Sequence, residues 1–157
     1  MCDYCGCRSM ALIEELGAEH ERLTDLAGQV HRGVARGDMG WARDRFGELV
    51  ALLRVHTAVE EAGVFSALRA AGELGDQVDA LLADHASAWE SIGGLGRRWE
   101  GEAAVSLIAE LGAHIAREEY DLFPTTLVAI PPAGWDAAER AAAQVRRGFA
   151  EVSACAA

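Results

Sequence analysis

The sequence predicts an all-α fold: an up-down antiparallel four-helix bundle with a short Cys-rich N-terminal segment and an additional C-terminal helix. Three features predict it. Apolar residues recur at alternating three- and four-residue steps along most of the chain, and no strand-like alternation competes with them. The stretch His56-Thr-Ala-Val-Glu60-Glu61-Ala-Gly-Val-Phe65 is echoed by His114-Ile-Ala-Arg-Glu118-Glu119-Tyr-Asp-Leu-Phe123, so the pattern His-x3-Glu-Glu-x3-Phe occurs twice. The 157 residues, 51% of them hydrophobic, suit one domain with a sizeable core, since a chain of this length buries roughly 70% of its unfolded surface.

The elements follow in order. A first helix is expected from about Ser9, its N-cap, to Arg36, with Leu16, His20, Leu23, Ala27, Val30 and Val34 on one seam. A second runs from about Trp41 to Ala70 with Phe46, Leu49, Leu53, His56, Glu60, Gly63 and Ala67 on its seam, and Gly72 closes it. The third, about Asp76 to Trp99, carries Val78, Leu82, His85, Trp89 and Ile92, and Gly93, Gly94 and Gly96 are expected to fray or bend its end. The fourth starts near Glu102, carries Leu107, Leu111, His114, Glu118 and Leu122, and is broken or kinked at Pro124. After Pro131 and Pro132, a fifth helix from Asp136 to Val152 is expected outside the bundle, with Asp136 and Glu139 as a capping box and Ala138, Val145, Phe149 and Val152 facing inward. This divides the chain into a Cys-rich segment at 1–8, a bundle at 9–130 and an accessory helix with its link at 131–157.

Composition excludes several partner classes. Fourteen basic residues, all arginine, against 25 acidic ones give a net charge of −11, which repels nucleic-acid phosphates and anionic membranes. No run reaches the 18 or so apolar residues of a membrane span, and the N-terminus lacks the apolar core of a signal peptide, so a cytoplasmic protein is expected. In a reducing compartment its four cysteines are expected as thiols or metal ligands. Cys2, Cys5 and Cys7 are close enough for a further metal or a redox role, with Cys155 as a remote fourth partner.

The polar residues on the apolar seams carry the chemistry. Counted from the end that the four helices share, His20, Glu60, His85 and His114 each lie roughly ten residues in, near 15 Å, with His56 and Glu118 about one turn either side. Residues at i and i+4 share a helix face about 6 Å apart, so each motif presents an imidazole and a carboxylate together. Burying two carboxylates costs several kcal/mol unless a cation compensates them. Mixed nitrogen and oxygen donors suit iron, manganese or zinc, and two carboxylates able to bridge favour a dinuclear centre, with iron the first choice. The predicted metal ligands are therefore His20, His56, Glu60, His85, His114 and Glu118. Glu61 and Glu119 fall about 100° off the seam and are expected in solvent or in salt bridges, or as additional ligands. His31, roughly 16 Å beyond His20, is expected to be structural or solvent-facing, and Phe65, Phe123, Trp89 and Trp99 are expected to pack.

This ordered set, His20, His56-x3-Glu60, His85 and His114-x3-Glu118 with the texts HTAVEEAGVF and HIAREEYDLFP, resembles the haemerythrin-like (HHE) cation-binding domain of bacterial proteins over about residues 10–127. The resemblance implies a non-haem di-iron centre in an up-down bundle. It also implies Glu60 and Glu118 as bridging carboxylates, the four histidines as terminal ligands, and an oxo or hydroxo bridge between two Fe ions. The implied partners are small molecules (oxygen, hydrogen peroxide, nitric oxide) and an electron donor. Oxygen-carrying haemerythrins have H, HxxxE, HxxxH and HxxxxD on their four helices. Here Trp89 stands four residues after His85, and Glu118 and Glu119 stand four and five residues after His114. One terminal nitrogen fewer leaves coordination positions for water or substrate and argues against reversible oxygen carriage. The expected function is a peroxidase- or catalase-like di-iron oxidoreductase consuming small oxidants, with no catalytic residue assigned beyond the ligands and with Tyr120 and Glu119 as candidate acids. The alternative is an oxygen- or iron-binding sensor or storage module without turnover.

Overall fold

The computed structural model describes residues 10–155. The readings for Ser9 and for Cys2, Cys5 and Cys7 lie outside the described residues, and Cys155 is described only as the last residue of its helix. Among the described residues the secondary structure is entirely helical.

Helix α1 is Ala11–Ala35, with Met10 at the N-cap position and no side-chain cap bond. Helix α2, Met39–Glu60, begins where Asp38 caps it, its Oδ1 accepting from the Trp41 amide at 3.1 Å. The chain then widens into a π turn, Glu61–Phe65, and resumes as α3, Ser66–Ala71. Gly72 ends α3 at φ 74°, the left-handed closure expected of it.

Helix α4, Gly75–Arg97, runs straight through Gly93, Gly94 and Gly96, so the fraying expected there does not occur. Leu95, 5% exposed among these glycines, helps hold the turn against the core; burying a Leu stabilises by about 1.5–3 kcal/mol, more than one helical glycine costs. Helix α5, Gly101–Arg117, passes through a second π turn, Glu118–Leu122, into α6, Phe123–Ala129. Pro124 falls in the first turn of α6, where a missing N–H and a fixed φ do least harm, so the helical path continues past it.

Helix α7, Pro132–Cys155, starts four residues before the expected Asp136 because Pro132 itself opens the first turn. It lies against α2, α3 and the first π turn, with Trp135, Ala138 and Ala142 buried there. Val152, expected to face inward, is 70% exposed.

α1 and α2 pack along their lengths: Leu12 lies by Gly63, His20 by His56 and Gly33 by Ala42. Gly63 suits this close packing, since a Cβ there would come 3.0 Å from Leu12 Cδ2 and 3.4 Å from the Ala138 carbonyl of α7, and its neighbours would have to give way. The apolar core is interrupted. One cluster (Leu12, Leu16, Phe65, Leu68, Leu122, Phe123 and neighbours) fills the end near α7, and a second (Leu23, Leu49, Leu53, Leu111, Ile115) lies further along. The buried polar residues sit between them: His20, His56, His85 and His114 with Glu60 and Glu118.

Candidate metal centre

The structure brings all six sequence-predicted residues together. Two groups, His20, His56, Glu60, Glu118 and Glu60, His85, His114, Glu118, each place one donor atom per residue within 4.8 Å of the others, and all six residues are buried. The six come from α1, α2, α4, α5 and the start of the second π turn.

The histidines face each other in pairs. His20 Nε2 is 3.0 Å from His56 Nε2, and His85 Nε2 is 3.0 Å from His114 Nε2. Their other ring nitrogens all meet carboxylates. His20 Nδ1 lies 3.1 Å from Glu119 Oε1, His56 Nδ1 2.9 Å from Glu19 Oε2, His85 Nδ1 2.7 Å from Glu61 Oε1 and His114 Nδ1 3.1 Å from Asp84 Oδ2. A carboxylate can only accept, so each Nδ1 carries the hydrogen and donates it. In the neutral imidazole this leaves a lone pair on every Nε2, and these lone pairs point at one another.

The carboxylates complete the donor set. Glu118 spans the two pairs: its Oε2 is 3.3 Å from His20 Nε2, and its Oε1 is 2.8 Å from His114 Nε2 and 4.0 Å from His85 Nε2. Glu60 Oε2 is 3.6 Å from His85 Nε2. Both glutamates are 0% exposed, and none of their four oxygens has a hydrogen-bond partner of good geometry, despite the close approach of His114. Such orphaned anionic oxygens are costly unless positive charge sits beside them.

The titration behaviour follows. Burial, then the facing charge of Glu118, pushes the Glu60 carboxyl well above its usual range. Burial would also raise Glu118, but His114 and His20 outweigh it and hold that carboxyl low. Burial holds His56 and His85 below the usual imidazole range; at His20 and His114 burial acts the same way but is overcome by the Glu118 contact, and both are raised. A second proton on His20 or His114 is thus favoured by Glu118, the same carboxylate that would favour a bound cation.

The donor set fits a transition metal. Two nitrogens 3.0 Å apart subtend about 90° at an ion about 2.1 Å from each, the angle between neighbouring ligands of an octahedral ion. Locking each Nδ1 onto a carboxylate fixes the tautomer and raises the basicity of Nε2, the usual support for a metal-bound histidine.

Glu61 and Glu119 thus serve in the salt bridges expected of them, with a sharper purpose than solvation: each holds the histidine of the helix that lacks the motif. The phenylalanine that ends each motif stacks on that same histidine. Phe65 lies 5.7 Å from His85 at 20°, and Phe123 lies 5.7 Å from His20 at 5°. Sequence reasoning missed Glu19 and Asp84, which hold the two motif histidines. The signal was present, because an acidic residue directly precedes each of the other histidines, in Glu19-His20 and Asp84-His85. The π turns were missed as well; both begin within one residue of the buried glutamates and re-aim Glu61, Phe65, Glu119 and Phe123, as π turns at functional sites commonly do.

The remaining residues fall as expected or nearly so. His31 is exposed and remote from the cluster. Trp99 packs edge-on against Phe46 at 5.3 Å, and Trp89 is half-buried with the Arg54 guanidinium 5.9 Å above its ring. Tyr120 is 62% exposed, so it is not positioned as an acid at the cluster.

A helical bundle holding paired imidazoles around two shared carboxylates defines a cation-binding protein of the histidine-glutamate class. The family model for the Hemerythrin HHE cation binding domain matches residues 11–126, and the chain belongs to that family. Searches of curated proteins and of solved structures gave no match. The matched segment ends before α7. Among the described residues no helix is long and apolar enough to cross a membrane.

Proposed function

We propose that the chain binds two iron ions, one at His20 and His56 and the other at His85 and His114, with Glu60 and Glu118 shared between them. The pair serves to consume small oxidants, hydrogen peroxide or nitric oxide, in a peroxidase- or catalase-like protective role. The observation that carries this reading is the convergence of four Nε2 atoms on the two fully buried carboxylates of Glu60 and Glu118, with every Nδ1 already committed elsewhere. Within the same reading the chain divides into an up-down bundle around the metals at 9–130 and a Pro-containing link with an accessory helix at 131–157. The pairings of Leu12 with Gly63 and Gly33 with Ala42 support opposed α1 and α2.

A bound iron pair supplies adjacent one-electron changes and a polarising charge for a small oxygen or nitrogen ligand. The chain's residues do the rest. Glu19, Glu61, Asp84 and Glu119 hold four imidazoles in one tautomer, so the donor set is assembled before metal or ligand arrives. Phe65, Phe123 and the two flanking apolar clusters keep bulk water from the carboxylates. A net charge of −11 places no barrier before neutral molecules such as peroxide or nitric oxide, whereas it repels anions.

Metal analysis of protein loaded with ferrous iron and oxidised in air, followed by its ultraviolet-visible spectrum and by peroxide consumption with a reductant present, tests the proposal. About two irons per chain and turnover above that of free iron are expected. A chain that retains no transition metal overturns it.

A further inference from the structure

The two histidine pairs have matching donor sets, yet a cavity of about 270 Å³ opens onto only one of them: it is lined by His85 and His114 and by neither His20 nor His56. Its apolar walls are Leu53, Ala88, Trp89, Leu107, Leu111 and Ala113, and Thr57, Ser87, Asp84, Glu110 and Arg117 also line it. An apolar cavity of roughly 150 Å³ accommodates benzene. This one is therefore much larger than peroxide, dioxygen or nitric oxide requires.

From this we infer that the cavity is a binding subsite for a neutral organic molecule. Its apolar body, of benzene size or slightly larger, lies against Trp89, Leu107 and Leu111, and its hydroxyl or hydroperoxyl head reaches the metal position at His85 and His114. The inference rests on the metal reading above and sharpens it, because among the described residues this cavity meets one half, at His85 and His114, and not the pair His20 and His56. The lining carries two carboxylates, Asp84 and Glu110, which disfavour an anionic head and leave a neutral one unaffected. Asp84 is already engaged by His114 Nδ1 and by the Arg117 guanidinium, so it presents a compensated charge to the cavity.

The size of the cavity also bears on selectivity. With apolar walls on several sides, the organic body gains burial at about 25 cal/mol per Å² of apolar surface, an attraction unavailable to hydrogen peroxide. Trp89 supplies an aromatic surface to the cavity, and the Arg54 guanidinium lies 5.9 Å from its ring centroid.

Phenol is a suitable probe, since its coordination to ferric iron produces a visible charge-transfer band that does not depend on turnover. Ferric iron-loaded wild type is titrated with phenol beside two groups of variants. Ala113→Phe and Ser87→Phe place a ring at exposed positions lining the cavity, where the fold has room to tolerate it. Gly112→Phe adds the same ring one residue away, facing a separate hollow between α1 and α5 that is lined by Leu23, Ala27 and Ile108, and serves as the control. Wild type and Gly112→Phe should show the band with similar affinity, while each cavity variant keeps its iron and weakens phenol binding at least tenfold. Iron-loaded wild type that shows no phenol band, or cavity variants that bind phenol as wild type does, overturn the subsite and leave the metal reading standing. Protein that takes up no iron overturns both.

Discussion

Replacing Glu19 by Gln tests whether the carboxylates behind the histidines tune the centre or merely fill space. Glu19 accepts from His56 Nδ1 at 2.9 Å through Oε2 and from Arg146 through Oε1 at 2.5 Å, and its side chain is only 11% exposed. Gln keeps the shape and can still accept one hydrogen bond, but it removes the charge that makes Nε2 of His56 a stronger donor to a cation. Loss of an outer-shell partner typically lowers metal affinity by about 10–100-fold, or about 1.4–2.8 kcal/mol. Because the amide retains an acceptor, Glu19→Gln should fall near tenfold and Glu19→Ala nearer a hundredfold. Asp84 is 35% exposed where Glu19 is 11%, so water can take over part of its role, and Asp84→Asn should cost less than Glu19→Gln. Competition with a chelator of known affinity gives the numbers, and circular dichroism of the metal-free variants checks that the helices persist. Affinities within twofold of wild type for both Glu19 variants would refute the argument that the Nδ1 contact sets ligand strength.

Three further outcomes are expected of the site. His56→Ala and His114→Ala should each lose at least one metal ion per chain and its absorption bands while keeping the helical signal; unchanged metal content in either would contradict the ligand assignment. Metal held at a hundred times its dissociation constant should stabilise the fold by about 2.7 kcal/mol per site, a rise of roughly 5–10 °C in Tm that a chelator reverses. The metal-free fold should also carry a pH signature. Burial and the facing Glu118 raise the Glu60 carboxyl well above its ordinary range, so the folded state keeps a proton that the unfolded chain releases near pH 4.3, and stability falls as pH rises from there toward the folded value. Glu118 acts in the opposite sense: held low by His114 and His20 despite burial, it contributes stability that is lost as pH falls below the ordinary carboxylate range. Glu60→Gln removes the first effect and, because Glu60 also helps to hold Glu118 low, weakens part of the second; its stability relative to metal-free wild type should therefore rise as pH climbs above the ordinary carboxylate range in urea denaturation. A gain that stays constant with pH would show that Glu60 is not protonated in the metal-free fold.

The six buried residues were legible because helical periodicity makes a polar residue on an apolar seam conspicuous. His20 follows Leu16 and precedes Leu23, and Glu118 stands between His114 and Leu122, each at the three- or four-residue step. Depth along the seam was legible for the same reason, since a rise of 1.5 Å per residue turns chain position into height. Glu19 and Asp84 were hidden by the same logic. Each lies one residue, about 100°, from its seam, where periodicity assigns a charge to solvent. Whether such a residue turns back depends on the neighbouring helix, here on where His56 and His114 present Nδ1. The π turns left no trace either, because one extra residue in a turn changes no residue type; it only shifts the register of the helix beyond it. The start of α7 differs from expectation because Pro132 at a first turn is a stronger signal than the capping-box pattern of Asp136 and Glu139.

The twofold likeness of the site runs deeper than the repeated motif. An acidic residue followed by histidine on one helix, then His-x3-Glu-Glu-x3-Phe on the next, is a complete half-centre: the first helix holds the imidazole of its own partner helix and the motif helix holds an imidazole of the other half, each through one carboxylate. Glu19 holds His56 and Asp84 holds His114 within their own halves, whereas Glu61 reaches from the first π turn to His85 on α4 and Glu119 reaches from the second π turn to His20 on α1. The crossed pair ties the halves together, so neither set of ligands can shift without moving the other, and stacked Phe65 and Phe123 follow the same crossing. The likeness breaks at the acids behind the motif histidines. Glu19 is backed by Arg146 of α7, beyond the segment that the family model matches, while Asp84 is backed by Arg117 from the second motif itself. The half backed by α7 is the one whose histidines are absent from the lining of the cavity, and the half backed by Arg117 supplies two histidines to it. A nearly symmetric donor set thus has unlike surroundings on its two sides, set by what packs outside it and without any change of ligand type.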